Sequence, residues 1–267
     1  MKIYIVHYDK MKDRRIELEK QLKRERVKVE WFVQEEKNPY TQKEIDTYYL
    51  YNNQEWKRKV KLIDSHLFPR RLGIGEICVT MNHFKIFKLI SEDRGPYGLI
   101  LENDVILTHK FNLKLKNLLK RLRNLEWDIC FIDWCAATPP KSNHPEIIFS
   151  RKDNSSWGNA GYIVKKEVAA KITNNFERFS LPADEELKYL VKKYGFKVIW
   201  ANPPLTVQGS ITGKFKSSLT EDRENNGIKR YISWRKNIYL LLDRKYLNII
   251  LRLLIKLETK IKGVLIG

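Results

Sequence analysis

Apolar positions along the chain alternate between short strand-like runs and longer stretches of helical period, and this alternation persists to about residue 201. IYIVHY at residues 3–8 is a short β-rich run, and the charged, helix-periodic RRIELEKQLKRE follows it. VKVEWFV at 27–33 alternates as a second strand, and YTQKEIDTYYLYNNQEWKRKVKLI reads as one largely solvated helical stretch. After the turn LGIG, residues 77–90 carry the pattern of a half-buried helix. LILENDVIL at 99–107 is a buried strand, NLKLKNLLKRLRNL a basic amphipathic helix, and WDICFIDW at 127–134 another apolar strand. ATPPKSNHPE, with three prolines, is the clearest long loop. GYIV at 161–164 (strand), KKEVAAKITNNF and DEELKYLVKKYG (helices, the second stopped by Gly195) and FKVIWA (strand) complete the pattern. Strands alternating with helices predict an α/β domain around a mostly parallel sheet flanked by helices.

The C-terminal part is different. Residues 229–262 hold ten basic and two acidic residues, with Asn248, Arg252, Lys256 and Lys260 every four positions and isoleucine and leucine between them. A basic stripe on a broad apolar helix suits a membrane interface; a helix packed on its own domain is the alternative. The expected division is a catalytic domain at 1–220 and a basic helical tail at 221–267.

Charge changes the picture more than size does. For 267 residues a net charge of +19 implies a polyanionic partner: nucleic acid, an anionic membrane or a phosphorylated substrate. Basic residues spread over many elements without a nucleic-acid motif make nucleic acid the less favoured of these, although aromatics such as Tyr48, Tyr49, Tyr51, Trp56 and Trp234 lie among them. Three cysteines without a CxxC pair favour neither disulfides nor zinc and fit a reducing compartment. The early charges in MKIYIVHYDKMKDRR do not fit a signal peptide, and a cytoplasmic protein is expected.

One feature of the strand pattern is chemical. LILENDVIL carries Glu102 and Asp104 where a buried strand ends, and in open α/β sheets ligands bind beyond the carboxyl ends of strands. Residues two apart on a strand share a face, so both carboxylates aim at one point while Asn103 faces away and can be neutral. Converging carboxylates repel, and a divalent cation shared with a substrate phosphate removes that cost. The plain alternative is the polar start of a turn.

Taken with their neighbours these residues resemble glycosyltransferase family 25, the lipooligosaccharide galactosyltransferases and their collagen-galactosyltransferase relatives. The resemblance runs from residue 3 to about 210 and rests on IYIVHYDKMKDRR, GEICVTMNH, LENDV, GYIVKKEVAAKI, LPADEE and PPLTVQGS in that order. It departs from the family at Glu-Asn-Asp for Glu-Asp-Asp, Cys78-Val79 for Gly-Cys, Asn82 for serine, and His7-Tyr8 for Asn-Leu.

The resemblance implies a GT-A-like, Rossmann-like fold and an inverting, metal-dependent transfer of a hexose, most often galactose. The donor would be a UDP-sugar. The acceptor would be a saccharide or glycolipid of lipooligosaccharide, lipopolysaccharide or a related surface glycan. Glu102 and Asp104 would hold Mn²⁺ or Mg²⁺, and His7, Arg14, Glu76 and His83 would join them around the donor. Asp184, then Glu185, would be the catalytic base. Each has a plainer role open to it: Asp184 as helix N-cap, Glu76 as helix-start cap, His83 as a hydrogen-bonded core histidine, Arg14 and Arg15 as solvent-facing charges. Trp157 could stack on a sugar or fill the interior. His109 and His144 have no metal-ligand spacing. The basic tail would hold the enzyme peripherally on the anionic inner face of the membrane. The rival functions are a basic nucleic-acid-binding protein and an inactive transferase-fold scaffold.

Overall fold

A computed structural model of the chain describes residues 1–8, 10–34, 40–65, 68–133, 147–148 and 158–215. The basic tail, Trp157, His144 and the proline-rich loop lie outside these residues. In chain order the elements are β1 (Ile3–Tyr8), α1 (Lys12–Glu25), β2 (Glu30–Gln34), α2 (Gln42–Tyr48), α3 (Asn53–Leu62), α4 (Ile74–Glu92), β3 (Tyr97–Glu102), β4 (Val105–Leu107) and α5 (Phe111–Leu122). They continue with β5 (Ile129–Phe131), β6 (Ile147–Ile148), β7 (Gly161–Lys165), α6 (Lys166–Asn174), α7 (Ala183–Tyr194), β8 (Val198–Ala201), β9 (Thr206–Gln208) and α8 (Gly209–Thr212).

The main sheet has the order β2-β1-β3-β7-β5-β8-β6. β1, β2, β3, β5 and β8 point one way, while β7 and β6 run against them. The sheet is therefore mostly parallel, as the strand–helix alternation predicts, with the reversed β7 in its centre. Strand alternation divides the interior between two faces. Tyr4, Val6, Ile100, Phe131 and Tyr162 pack with α4, α6 and α7. Ile5, Leu99, Leu101, Cys130 and Ile163 pack with α1 and α5. A strand buried on both faces reads as a continuous apolar run, which is the pattern of LILE and ICFI.

Three local readings change. LILENDVIL is not one strand: β3 ends at Glu102, residues 103–104 turn, and β4 leaves to pair antiparallel with β9 in a separate two-stranded sheet. The long helical stretch is two helices, because the Asn52 side chain accepts the amides of Gln54 and Glu55 and starts α3 afresh. Nor is it only a solvated stretch, since Trp56 and Lys59 are fully buried. Lys59 meets Glu186 of α7 at 2.6 Å in the interior, and Glu186 also accepts the amides of Ser180 and Leu181. α4 is mostly buried rather than half-buried, with Met81, Ile86, Phe87 and Ile90 in the core. Gly195, at φ 68°, ends α7 in the left-handed conformation that favours glycine, as its position predicts. Among the described residues no helix is long and apolar enough to cross a membrane.

Candidate active site

The parallel strands β1, β3 and β5 end at the same edge of the sheet, where β7 begins. This edge collects His7 (β1), Glu102 (β3), Asp133 (just after β5) and Asn159 (just before β7). The turn after β3 sets the arrangement. Because the chain leaves the main sheet there, Asp104 is placed by the turn and by β9, not by strand alternation with Glu102.

Asp104 is 3 % exposed, and its Oδ1 has no hydrogen-bond partner among the described residues. Burial and then the charge of Glu102 raise its pKa to about 6, while Ser210 and Arg14 pull it down. The Glu102 charge thus reaches Asp104. The Gly209 amide donates to the Asp104 carbonyl at 2.7 Å and fixes the turn against α8. A Cβ at Gly209 would lie 2.6 Å from that carbonyl, so this close approach requires glycine.

Asn103 does face away from Glu102, but it is a link rather than a neutral bystander. It accepts from Arg14 Nη1 at 3.2 Å, and its amide nitrogen lies 3.0 Å from His7 Nδ1. His7 also packs edge-on against Trp31, with ring centroids 5.4 Å apart. Arg14 is buried, its guanidinium 5.6 Å from the Phe215 ring, so it is no solvent-facing charge at a helix start. Arg15, more exposed, pairs with Glu19 and covers Trp31. A buried arginine beside two carboxylates at a strand edge offers a diphosphate both a fork of donors and a counter-charge.

On the other face, His83 from α4 shares a 2.8 Å hydrogen bond between Nδ1 and the Tyr162 hydroxyl, and its Nε2 is 3.8 Å from Glu102. It is thus a hydrogen-bonded interior histidine that also touches the carboxylate edge. Glu76, two turns earlier on the same helix, grips Arg70 through two 2.7 Å bonds and accepts the Gly73 amide at 3.1 Å. These contacts make it the cap of α4, the plainer of its two readings.

Asp184 is not the N-cap of α7. Pro182 holds that position, Asp184 lies in the first turn, and its Oδ1 accepts the Glu185 amide at 3.0 Å. Arg70 lies within electrostatic reach of Asp184. Glu185 is buried, and burial followed by the Asp184 charge raises its pKa, eased by Lys188 and a hydrogen bond from Ser65. Ala183 lines a small cavity with Thr80, His83, Asn159 and Tyr162, which brings the LPADEE turn up to the His83 side of the edge.

Asp133 is the residue that sequence reasoning missed. WDICFIDW reads as one strand, but pairing stops at Phe131 and leaves Asp133 at the edge, 2 % exposed. Burial, then Glu102 and Asp104, raise its carboxyl well above the usual range. The available signal was the one used for LILEND, an apolar run ending in a carboxylate.

Among the described residues no three histidine, cysteine or acidic side chains converge as a ready-made metal cage. Glu102 and Asp104 instead fit a cation held by one or two carboxylates and completed by substrate phosphates and water, the common arrangement for Mg²⁺. The orphaned Asp104 Oδ1 supports that fit.

Ligands of open α/β sheets bind beyond the carboxyl ends of the strands, and here that edge carries two neighbouring carboxylates and an arginine. The chain belongs to glycosyltransferase family 25: the model described as "Glycosyltransferase family 25 (LPS biosynthesis protein)" matches residues 1–187. Procollagen galactosyltransferase 2 of Homo sapiens is 27 % identical over 131 residues, covering 47 % of this chain and 21 % of that protein. The Mus musculus protein of the same name matches equally, at 27 % over 131 residues with the same shares of each chain. The match thus spans about a fifth of the length of these relatives.

Proposed function

We propose that the protein is a metal-dependent, inverting hexosyltransferase of GT-A type that moves galactose from a UDP-sugar to a saccharide or glycolipid acceptor of a surface glycan. The observation that carries this reading is the buried Asp104 carboxylate, with the half-buried Glu102 and the buried Arg14 beside it at the carboxyl edge of the sheet, in a chain of this family. Glu102 and Asp104 would hold Mn²⁺ or Mg²⁺ against the donor diphosphate, and the ion would supply Lewis-acid neutralisation of the leaving UDP. Arg14 adds charge to the same diphosphate, and the Arg14–Asn103–His7 chain fixes the direction of its guanidinium.

Inversion requires a base at the acceptor hydroxyl. Asp184 and Glu185 share that role as alternatives. Asp184 is the more accessible, whereas the raised pKa of Glu185 makes it the stronger proton acceptor. The basic C-terminal segment suits peripheral attachment to an anionic cytoplasmic leaflet, where each basic residue near the surface contributes about 1 kcal/mol. The test is UDP release from a panel of UDP-sugars with Mn²⁺ or chelator, in wild type and Asp104→Ala. Metal-dependent turnover of one donor, lost in the variant, is expected. Turnover insensitive to both chelator and substitution would overturn the reading.

A further inference from the structure

Two side chains at the edge have hydrogen-bonding capacity that the mechanism above leaves idle. Asp133 is 2 % exposed, and neither carboxylate oxygen has a well-formed hydrogen bond among the described residues, although its own amide and that of Gly161 lie close enough to favour its charged form. Asn159 is 5 % exposed, and both its amide nitrogen and its oxygen are likewise unpartnered. The β5–β7 ladder brings them together: Phe131 pairs with Tyr162 and Ile132 donates to the Gly161 carbonyl, so Asp133 lies opposite Ala160, next in sequence to Asn159. Asn159 lines the small cavity that Tyr162 and His83 also line.

Buried polar groups without partners cost free energy, and proteins rarely leave them so without a ligand to fill them. A third metal ligand is one explanation for Asp133, but no three such side chains converge among the described residues. A structural network is another, but a network would satisfy its members. Paired acceptors and an amide donor at the carboxyl edge of the sheet match the vicinal hydroxyls of a pyranose.

We propose that Asp133 and Asn159 bind hydroxyl groups of the transferred hexose, making them specificity-determining residues distinct from the diphosphate-binding pair. This inference rests on the UDP-sugar reading of the site. It implies that Asp133 contributes to recognition of the hexose and little to UDP, and that the fold bears the cost of keeping it.

Calorimetry on the full chain with Mn²⁺ tests this, using UDP, UDP-galactose and UDP-glucose as probes against wild type, Asp133→Ala and Asp133→Asn, with thermal unfolding of each. In Asp133→Ala, UDP affinity should stay within about twofold while affinity for the preferred UDP-hexose falls about tenfold or more, the size of a lost hydrogen bond to a charged group. Its melting temperature should equal or exceed that of wild type, because an unsatisfied carboxylate has been removed. Asp133→Asn, which preserves shape, should fall between the two in hexose affinity and serves if the alanine variant does not fold. Equal losses for UDP and UDP-hexose would make Asp133 a metal or phosphate residue. Unchanged affinities for both, with or without a lower melting temperature, would make it structural. Either result overturns the inference while leaving the transferase reading intact. Failure of wild type to bind UDP or any UDP-hexose would overturn both.

Discussion

Replacing Asp104 by asparagine should stabilise the protein at neutral pH while removing the function of the site. The native fold holds this carboxyl at a pKa of about 6 against an ordinary 3.8, chiefly through burial and then through Glu102. At about 1.4 kcal/mol per tenfold change in ionisation, that difference costs the metal-free fold about 3 kcal/mol when Asp104 is fully ionised. The sign follows from proton binding. Between about pH 4 and pH 6 the folded protein holds a proton that the unfolded chain has released, so the Asp104 contribution to stability falls as pH rises through that window, and is constant above it. Asparagine has no charge to desolvate and keeps an acceptor for Ser210. Urea unfolding with chelator at pH 4 and pH 8 measures this. The variant should gain about 2 kcal/mol on wild type between the two pH values, a comparison that cancels the parallel contribution of Glu185. An equal stability change at both pH values would refute the reasoning, as would a relative gain at pH 4.

Three further outcomes are expected. Gly209→Ala should destabilise by about 1–3 kcal/mol in thermal or urea unfolding, because its Cβ would lie 2.5 Å from the Phe215 ring and 2.6 Å from the Asp104 carbonyl. It should also weaken metal-dependent UDP binding by displacing the turn. Lys59→Met should cost about 3–5 kcal/mol, read by urea denaturation, since it leaves the buried Glu186 carboxylate without its ion pair. Deleting residues 229–267 should abolish sedimentation with anionic liposomes and leave UDP binding unchanged.

The strand–helix alternation was legible because a parallel sheet covered on both faces demands continuous apolar runs, and LILE and ICFI supply them. The direction of β7 was not, since GYIV has the same pattern in either sense. A clue lay in the absence of helical periodicity between residues 134 and 160, where a parallel crossover would need a helix. The carboxylates of LENDV could be placed at a ligand edge from sequence, but not the reason they converge. That depends on β4 leaving for β9, a contact between segments about 100 residues apart. His7 and Arg14 reach the site through Asn103, whose side chain seemed idle when considered on its own strand. Asp133 was hidden because WDICFIDW reads as one strand to Trp134 whereas β5 ends at Phe131, and Asn159 has no sequence signal at all.

The most direct test of the central claim is titration of UDP into the full chain by calorimetry, with Mn²⁺ and with chelator, for wild type and Asp104→Ala. UDP binding that depends on Mn²⁺ and is lost in the variant is expected. Absence of UDP binding by wild type under either condition, or binding indifferent to both metal and substitution, would contradict it.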